Sequence, residues 1–140
     1  MAMLPTDLDT NFSITEKPGF TNYYQSVFGS AFAHGIAEAA QQYSGLLVVL
    51  LPDAANTHPL KREVEFFLGD KLDSIPVVTL PDWETLPYDY FSPHQDITSE
   101  RLQTLYQLPR MQRGVLLLPV SSALQRLPDR NYIEQQCLVL

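Results

Sequence analysis

The apolar positions of this chain alternate between two kinds of pattern. Phe32, Ile36, Ala39, Ala40 and Tyr43 recur at i, i+4, i+7, i+8 and i+11, which predicts a helix over 30–43 with one buried stripe. Gly45 supplies its stop. Leu46 to Leu51 is then apolar without a break and is closed by Pro52 and Asp53. A short run of that kind predicts a strand buried on both faces, as in a parallel sheet covered by helices. Leu60, Val64, Phe67 and Leu68 mark a second helix from Thr57, with Lys61, Arg62, Glu63 and Glu65 mostly off the stripe and Gly69-Asp70 at its end. Pro76 to Leu80 predicts the next strand, and residues 81–97 a long ordered loop. A third helix is expected from Thr98 to Leu108, buried through Leu102, Leu105 and Tyr106 and ended by Pro109. Gly114 to Val120 predicts a third strand, followed by a short helix capped by Ser121. Cys137 to Leu140 reads as one more strand, just begun, and residues 1–19 as irregular chain.

Strands alternating with helices imply right-handed crossovers and a mainly parallel sheet flanked by helices, an α/β domain. A chain of 140 residues suits one domain. The apolar run still open at Leu140 is expected of a piece cut from a longer protein.

Composition narrows the function classes. The net charge is −7, from nine Lys plus Arg against sixteen Asp plus Glu. Phosphate binding is driven by cationic side chains, so a chain that wraps nucleic acid is not expected. No apolar run approaches the roughly 20 residues of a membrane span, and Met1 to Phe20 has no basic patch or apolar core of a secretory signal. No membrane association is expected. Cys137 is the sole cysteine, which excludes an internal disulfide framework and an all-cysteine zinc site and fits a reducing, cytoplasmic setting.

Ligands in a parallel α/β domain bind beyond the carboxyl ends of the strands, here the loops after Leu51, Leu80 and Val120. None of these is a glycine-rich phosphate cradle. The nearest candidate is Gly29-Ser30-Ala31-Phe32-Ala33-His34-Gly35, but no lysine lies between Lys17 and Lys61. A phosphate loop needs that lysine for the terminal phosphates and a hydroxyl for magnesium. The simpler reading is that Gly29 and Ser30 start a helix. His34, His58 and His94 form no metal-binding spacing, so no metal is expected, and no G-x-S-x-G elbow is present. Asp82, Glu84 and Asp89 serve either as paired carboxylates or as turn formers. Trp83, Tyr88, Tyr90 and Phe91 crowd the same loop. They either pin it to the sheet or form a stacking platform for single-stranded nucleic acid. The acids Asp82, Glu84, Asp89 and Asp96, with no Lys or Arg among them, weigh against the platform.

The block DWETLPYDYFSPHQDITSERLQTLYQLPRMQRGVLLLPVSSALQR, Asp82 to Arg126, resembles the N-terminal region of the bacterial transcription-repair coupling factors (the Mfd family). Its signature loop is carried by Asp82, Trp83, Glu84, Tyr88, Asp89, Phe91, Pro93 and His94. That region is in turn similar to the first domain of the excision-repair protein UvrB, a helicase-type ATPase lobe. The resemblance implies a degenerate member of the P-loop NTPase lineage. The phosphate-loop Lys and Thr would fall at Phe32 and Ala33, just after Gly29 and Ser30, and neither residue supplies the chemistry. It also implies that the damage-probing hairpin of UvrB is missing, because only Gln95 to Glu100 separate His94 from Arg101. The domain plan it implies is an irregular segment over 1–24, a UvrB-like domain 1a over 25–136, and the truncated start of a UvrA-binding-type domain over 137–140.

By this resemblance the full-length protein recognises RNA polymerase stalled at a DNA lesion, displaces it with an ATP-driven translocase and recruits nucleotide excision repair through UvrA. ATP and magnesium belong to motor modules elsewhere in such a protein, so no catalytic residues and no cofactor are expected here. The expected role is a non-catalytic scaffold that contacts other modules of the same protein. UvrA would be engaged mainly through the following domain. Arg101, Arg110, Arg113 and Arg126 are candidate exposed partner contacts or, more simply, a solvated helix face. Two other readings stay open. One is a small stand-alone α/β enzyme with the aromatic loop as lid and Asp82, Asp89 or His94 as acid–base groups. The other is a module that self-associates through the strand at 137–140.

Overall fold

The computed structural model describes residues 18–25, 27–85, 90 and 92–136. The element order is α1 (Ala31–Gln42), β1 (Leu46–Leu51), α2 (Thr57–Leu68), β2 (Val77–Thr79), α3 (Gln95–Gln107), β3 (Gly114–Pro119), α4 (Val120–Ala123) and α5 (Arg130–Gln136). The strands form one parallel sheet in the order β1-β3-β2, with Leu46 opposite Gly114 and Val77 opposite Val115. The expected α/β class with a parallel sheet between helices is what forms, on three strands among the described residues.

Alternation along β3 divides the core. Val115 and Leu117 face α1 and α2, packing with Ile36, Ala40, Leu60, Val64 and Leu68. Leu116 and Leu118 face the other way, with Leu80, Leu105 of α3 and Ile133 of α5. Helices therefore lie on both faces, and β3 is buried at every position. Its central place explains why its sequence has no polar alternation.

β1 departs from the expectation. Its apolar run predicts cover on both sides, yet Val48 is 51% and Leu50 57% exposed. Among the described residues β1 is an edge strand, and α3 on that face packs over β2. Phe32, placed on the buried stripe of α1, is also 41% exposed. It lies off the face of α1 formed by Ala33, Ile36, Ala37 and Ala40, which is the one packed into the core.

Local chemistry explains most boundaries. Asp53 accepts from the Asn56 backbone N–H at 3.2 Å and shapes the turn into α2. Gly69 ends α2 with φ +50°, a conformation open to glycine. Arg113 donates to the carbonyls of Ala40 and Gln41 at 2.9 and 2.7 Å, so a cation closes the C-terminal end of α1. α3 begins at Gln95, three residues before the expected start, because His94 caps it through Nδ1 from the Asp96 N–H at 3.3 Å. Val120 opens α4 directly from β3, so Ser121 lies inside that helix and Pro119 takes the cap position. α5 was not anticipated. Among its described side chains Ile133 alone is buried, which gives too little periodicity to read. The expected strand at 137–140 and residues 1–17 of the expected irregular segment lie outside the described residues.

Candidate functional site

β2 delivers its chain to the carboxyl end of the sheet, the usual ligand position in this architecture. Leu80 N–H still donates to Leu117 at 3.0 Å, and the chain then leaves through Pro81 and Asp82. α3 holds this exit with three side chains. Thr104 donates to the Thr79 carbonyl at 2.7 Å, the Thr79 hydroxyl donates to Glu100, and Arg101 Nη1 donates to the Pro81 carbonyl. Glu100 and Thr104 are spaced i, i+4, so one face of the helix presents both to the strand end.

Arg101 is the centre of the arrangement. It is 2% exposed, and its guanidinium lies 4.3 Å from the centre of the Trp83 ring. Its Nη1 also approaches the Ser122 hydroxyl of α4 at 3.5 Å. Asp82 closes the other side, accepting from the Trp83 N–H at 2.8 Å and from the Gln125 amide at 2.7 Å. Three segments distant in sequence are thereby tied together: the start of the signature loop, α3, and the α4 turn.

The electrostatics fit a tether. Burial lowers the Arg101 pKa from its ordinary value, against the opposing attraction of Asp82. Burial alone would raise the Asp82 pKa. Hydrogen bonds from Ser121, the Trp83 N–H and Gln125, with the charge of Arg101, outweigh it and hold the carboxyl below its usual range. Such an acid stays ionised at neutral pH and is unsuited to give up a proton. Arg101 Nε and Gln125 Oε1 are buried without a partner, so the cluster specifies position at some cost in stability.

The other described signature residues scatter: Glu84 is exposed with φ +57°, Pro93 is half-buried and His94 caps α3. Tyr90, in the same loop, is fully exposed. Tyr88, Asp89 and Phe91 lie outside the described residues. Of the described aromatics, Trp83 is pinned to the fold and Tyr90 is not.

The expected row of exposed arginines is corrected by burial. Arg101 is inside the fold, because only a cation in that place reaches the Pro81 carbonyl and the Trp83 ring together. Arg113 is half-buried and closes α1. Arg110 is exposed but stacks 3.8 Å from the Tyr106 ring and lies 3.8 Å from Glu134. Arg126 is exposed. The residues missed in sequence are Thr79, Glu100, Thr104, Ser122 and Gln125. A threonine inside the run VVTL and the i, i+4 polar pair on α3 were the available signals.

Near the Gly29–Ala33 segment a groove of about 300 Å³ is lined by Gly29, Phe32, Leu51, Pro52, Asn56, Pro59, Leu60 and Glu63. Its lining is mainly apolar and its charged member is an acid, which is unfavourable to phosphate. Ala33 is fully buried in the core and does not face it. Among the described residues no group of three or more His, Cys, Asp and Glu is placed to hold a metal ion. No helix among them is long and apolar enough to cross a membrane.

No family model matches the chain. Among individual proteins, it is 43% identical over 129 residues to the transcription-repair-coupling factor of Escherichia coli K12, covering 92% of this chain and 11% of that protein. It is 38% identical over 127 residues to the one of Haemophilus influenzae, covering 91% and 11%. A 61-residue stretch is 34% identical to that of Rickettsia prowazekii, covering 43% and 5%. The chain spans about one tenth of the length of the first two. The Trp83–Arg101 tether and the sheet around it lie in a chain that belongs to the transcription-repair-coupling factors, as a domain-sized part of them.

Proposed function

We propose that this segment is a non-catalytic scaffold domain of a transcription-repair-coupling factor that displaces RNA polymerase stalled at lesions and recruits excision repair through UvrA. The match over nine tenths of the chain to two such factors carries this reading. The geometry at the strand ends supports it. Asp82, the best-placed acid, is spent on tying the loop to α4, and its depressed pKa suits a fixed anion better than a proton donor. His94 is committed to a helix cap. The stand-alone enzyme reading loses both groups.

The descent from a UvrB-like ATPase lobe belongs to the same proposal. Phe32 and Ala33 offer neither a phosphate-binding ammonium nor a magnesium ligand, and Ala33 is buried. Residues 95–100 are already helical, so a DNA-probing hairpin has no place between His94 and Arg101. The domain then acts in the cytoplasm through protein contacts, with ATP and DNA handled by other parts of the protein.

Affinity capture tests the role. Residues 1–140 alone are expected to retain little UvrA, and the chain extended through the following region to retain it. Equal retention by both would move the UvrA contact into this domain, and none by either would remove UvrA from the proposal. Calorimetric titration of residues 1–140 with Mg-ATP is expected to give no binding heat. Micromolar affinity would overturn the degenerate-ATPase part.

A further inference from the structure

α1 and α2 lie side by side on one face of the sheet. Short loops join the end of α1 to the start of β1, and the end of β1 to the start of α2. Both helices therefore run against β1 and parallel to each other. Their outer seam is aromatic. The His34 ring meets Phe67 edge-on at 5.2 Å, and Phe67 meets Phe66 edge-on at 5.4 Å. At one end the seam opens into the groove lined by Phe32, Pro59 and Glu63. At the other end Lys71 Nζ donates to Gln41 Oε1 and ties the helices together. Phe66 is 78% exposed, so its ring contributes little to the core of this domain.

Two half-buried acids flank the aromatic contact. Glu38 stands one turn beyond His34 on α1, and Glu63 one turn before Phe67 on α2. The rise of 1.5 Å per residue separates them by roughly 12 Å along the seam. Among the described residues neither carboxylate has a hydrogen bond or an ion pair, and Glu38 Oε2 is shut off from water without a donor. The cations nearby are otherwise engaged. Lys61 pairs with Glu65 at 3.9 Å, and Lys71 holds Gln41. Arg62 is turned about 100° from Glu63 around the helix. Acids are thus left unmatched along the seam, while Glu65, round the helix from it, has its lysine. A carboxylate oxygen without water or donor is costly until a cation meets it.

A guanidinium meets both demands, since it bonds a carboxylate in its plane and stacks on an aromatic ring by its face. A second copy of this chain is a poor source. Each copy carries a net charge of −7, and copies repel. Its own arginines are largely spent: Arg101 and Arg113 serve the fold, and Arg110 and Arg130 lie against Glu134. The chain covers only 11% of each of the two longest-matching relatives, so most of the surface that can reach the seam belongs to the same polypeptide. We propose that the α1–α2 seam docks an arginine-bearing segment of the same polypeptide from outside residues 1–140. One guanidinium lies against Phe66 and pairs with Glu38, and a second cation pairs with Glu63. This rests on the scaffold reading and names the surface through which the scaffold holds another module.

Cross-linking of the full-length protein tests it. Phe66→p-benzoylphenylalanine is photolysed and the joined peptide identified by mass spectrometry. The expected product is a link within one polypeptide to an arginine-containing peptide from outside residues 1–140. A link between two copies, a link to a peptide without arginine, or no link overturns the proposal. Glu38→Gln with Glu63→Gln is expected to lower the yield about fivefold or more, and Glu65→Gln to leave it within about twofold. Equal yields in all three overturn it. Salt gives a check that needs no variant of the acids: raising NaCl from about 0.05 to about 0.5 M should lower the yield, and an unchanged yield overturns the charge pairing. The UvrA capture and the Mg-ATP titration do not involve the seam. A lost cross-link with those results as expected strikes the docking surface alone, and the reverse strikes the scaffold reading alone.

Discussion

The Arg101 guanidinium sits 4.3 Å from the centre of the Trp83 ring while its Nη1 donates to the carbonyl of Pro81. One side chain of α3 thus fixes both the path and the first aromatic of the signature loop. Arg101→Ala is expected to lower stability by about 2–4 kcal/mol, combining an orphaned carbonyl with a lost cation–π contact. Trp83 is the sole tryptophan, so its emission reports the site directly. The emission maximum should move to the red in the folded variant, and urea unfolding gives the stability. Arg101→Lys should restore the charge but only part of the stability, because an ammonium lacks the planar fork.

Asp82 gives a pH signature. Its folded pKa lies below its ordinary value, so its contribution is complete above the unfolded pKa of about 3.9 and is lost as pH falls through the folded value. The melting temperature of Asp82→Asn should therefore trail that of the parent at pH 7. The gap should close as both are taken below about pH 4. A gap that is constant across this range would show that the charge of Asp82 is not what matters.

The two sides of β1 and β3 should respond very differently to truncation. Leu117 is fully buried in the central strand, and Leu117→Ala should cost about 3–5 kcal/mol. Leu50→Ser removes a side chain more than half exposed, so in residues 1–140 its effect should stay within about 0.5 kcal/mol. Chemical denaturation of the two variants checks the contrast.

Gly114 starts β3 with φ +153°, and a Cβ there would stand 2.7 Å from the Pro76 carbonyl oxygen. That oxygen already accepts from the Val115 N–H at 2.9 Å, so it cannot retreat without loosening the β2–β3 junction. Gly114→Ala is expected to destabilise by about 1–3 kcal/mol. A thermal melt unchanged from the parent would contradict this.

Arg113→Ala removes the cation that bonds the last carbonyls of α1. A loss of about 1 kcal/mol is expected, with faster amide exchange concentrated at the C-terminal turn of α1. Exchange spread evenly over the chain would point to a general loosening instead of a lost cap.

Periodicity by itself determined the succession of α1, β1, α2, β2, α3 and β3, since each has a repeat of 3.6 or an unbroken apolar run set off by Gly or Pro. It also located the loop that carries the family signature, through Trp83 and its neighbours. Only the tertiary structure decided which strand is central. LLVVLL and VLLLP read alike, yet the first is an edge and the second is buried throughout, because burial depends on what packs alongside and not on the strand's own residues. The same reason hid the site. Arg101 belongs by composition on a solvated helix face, and no local pattern announces that the Pro81 carbonyl, the Trp83 ring and Ser122 will meet it. Those partners lie about twenty residues away on either side and converge only when β2, α3 and the α4 turn close on one end of the sheet.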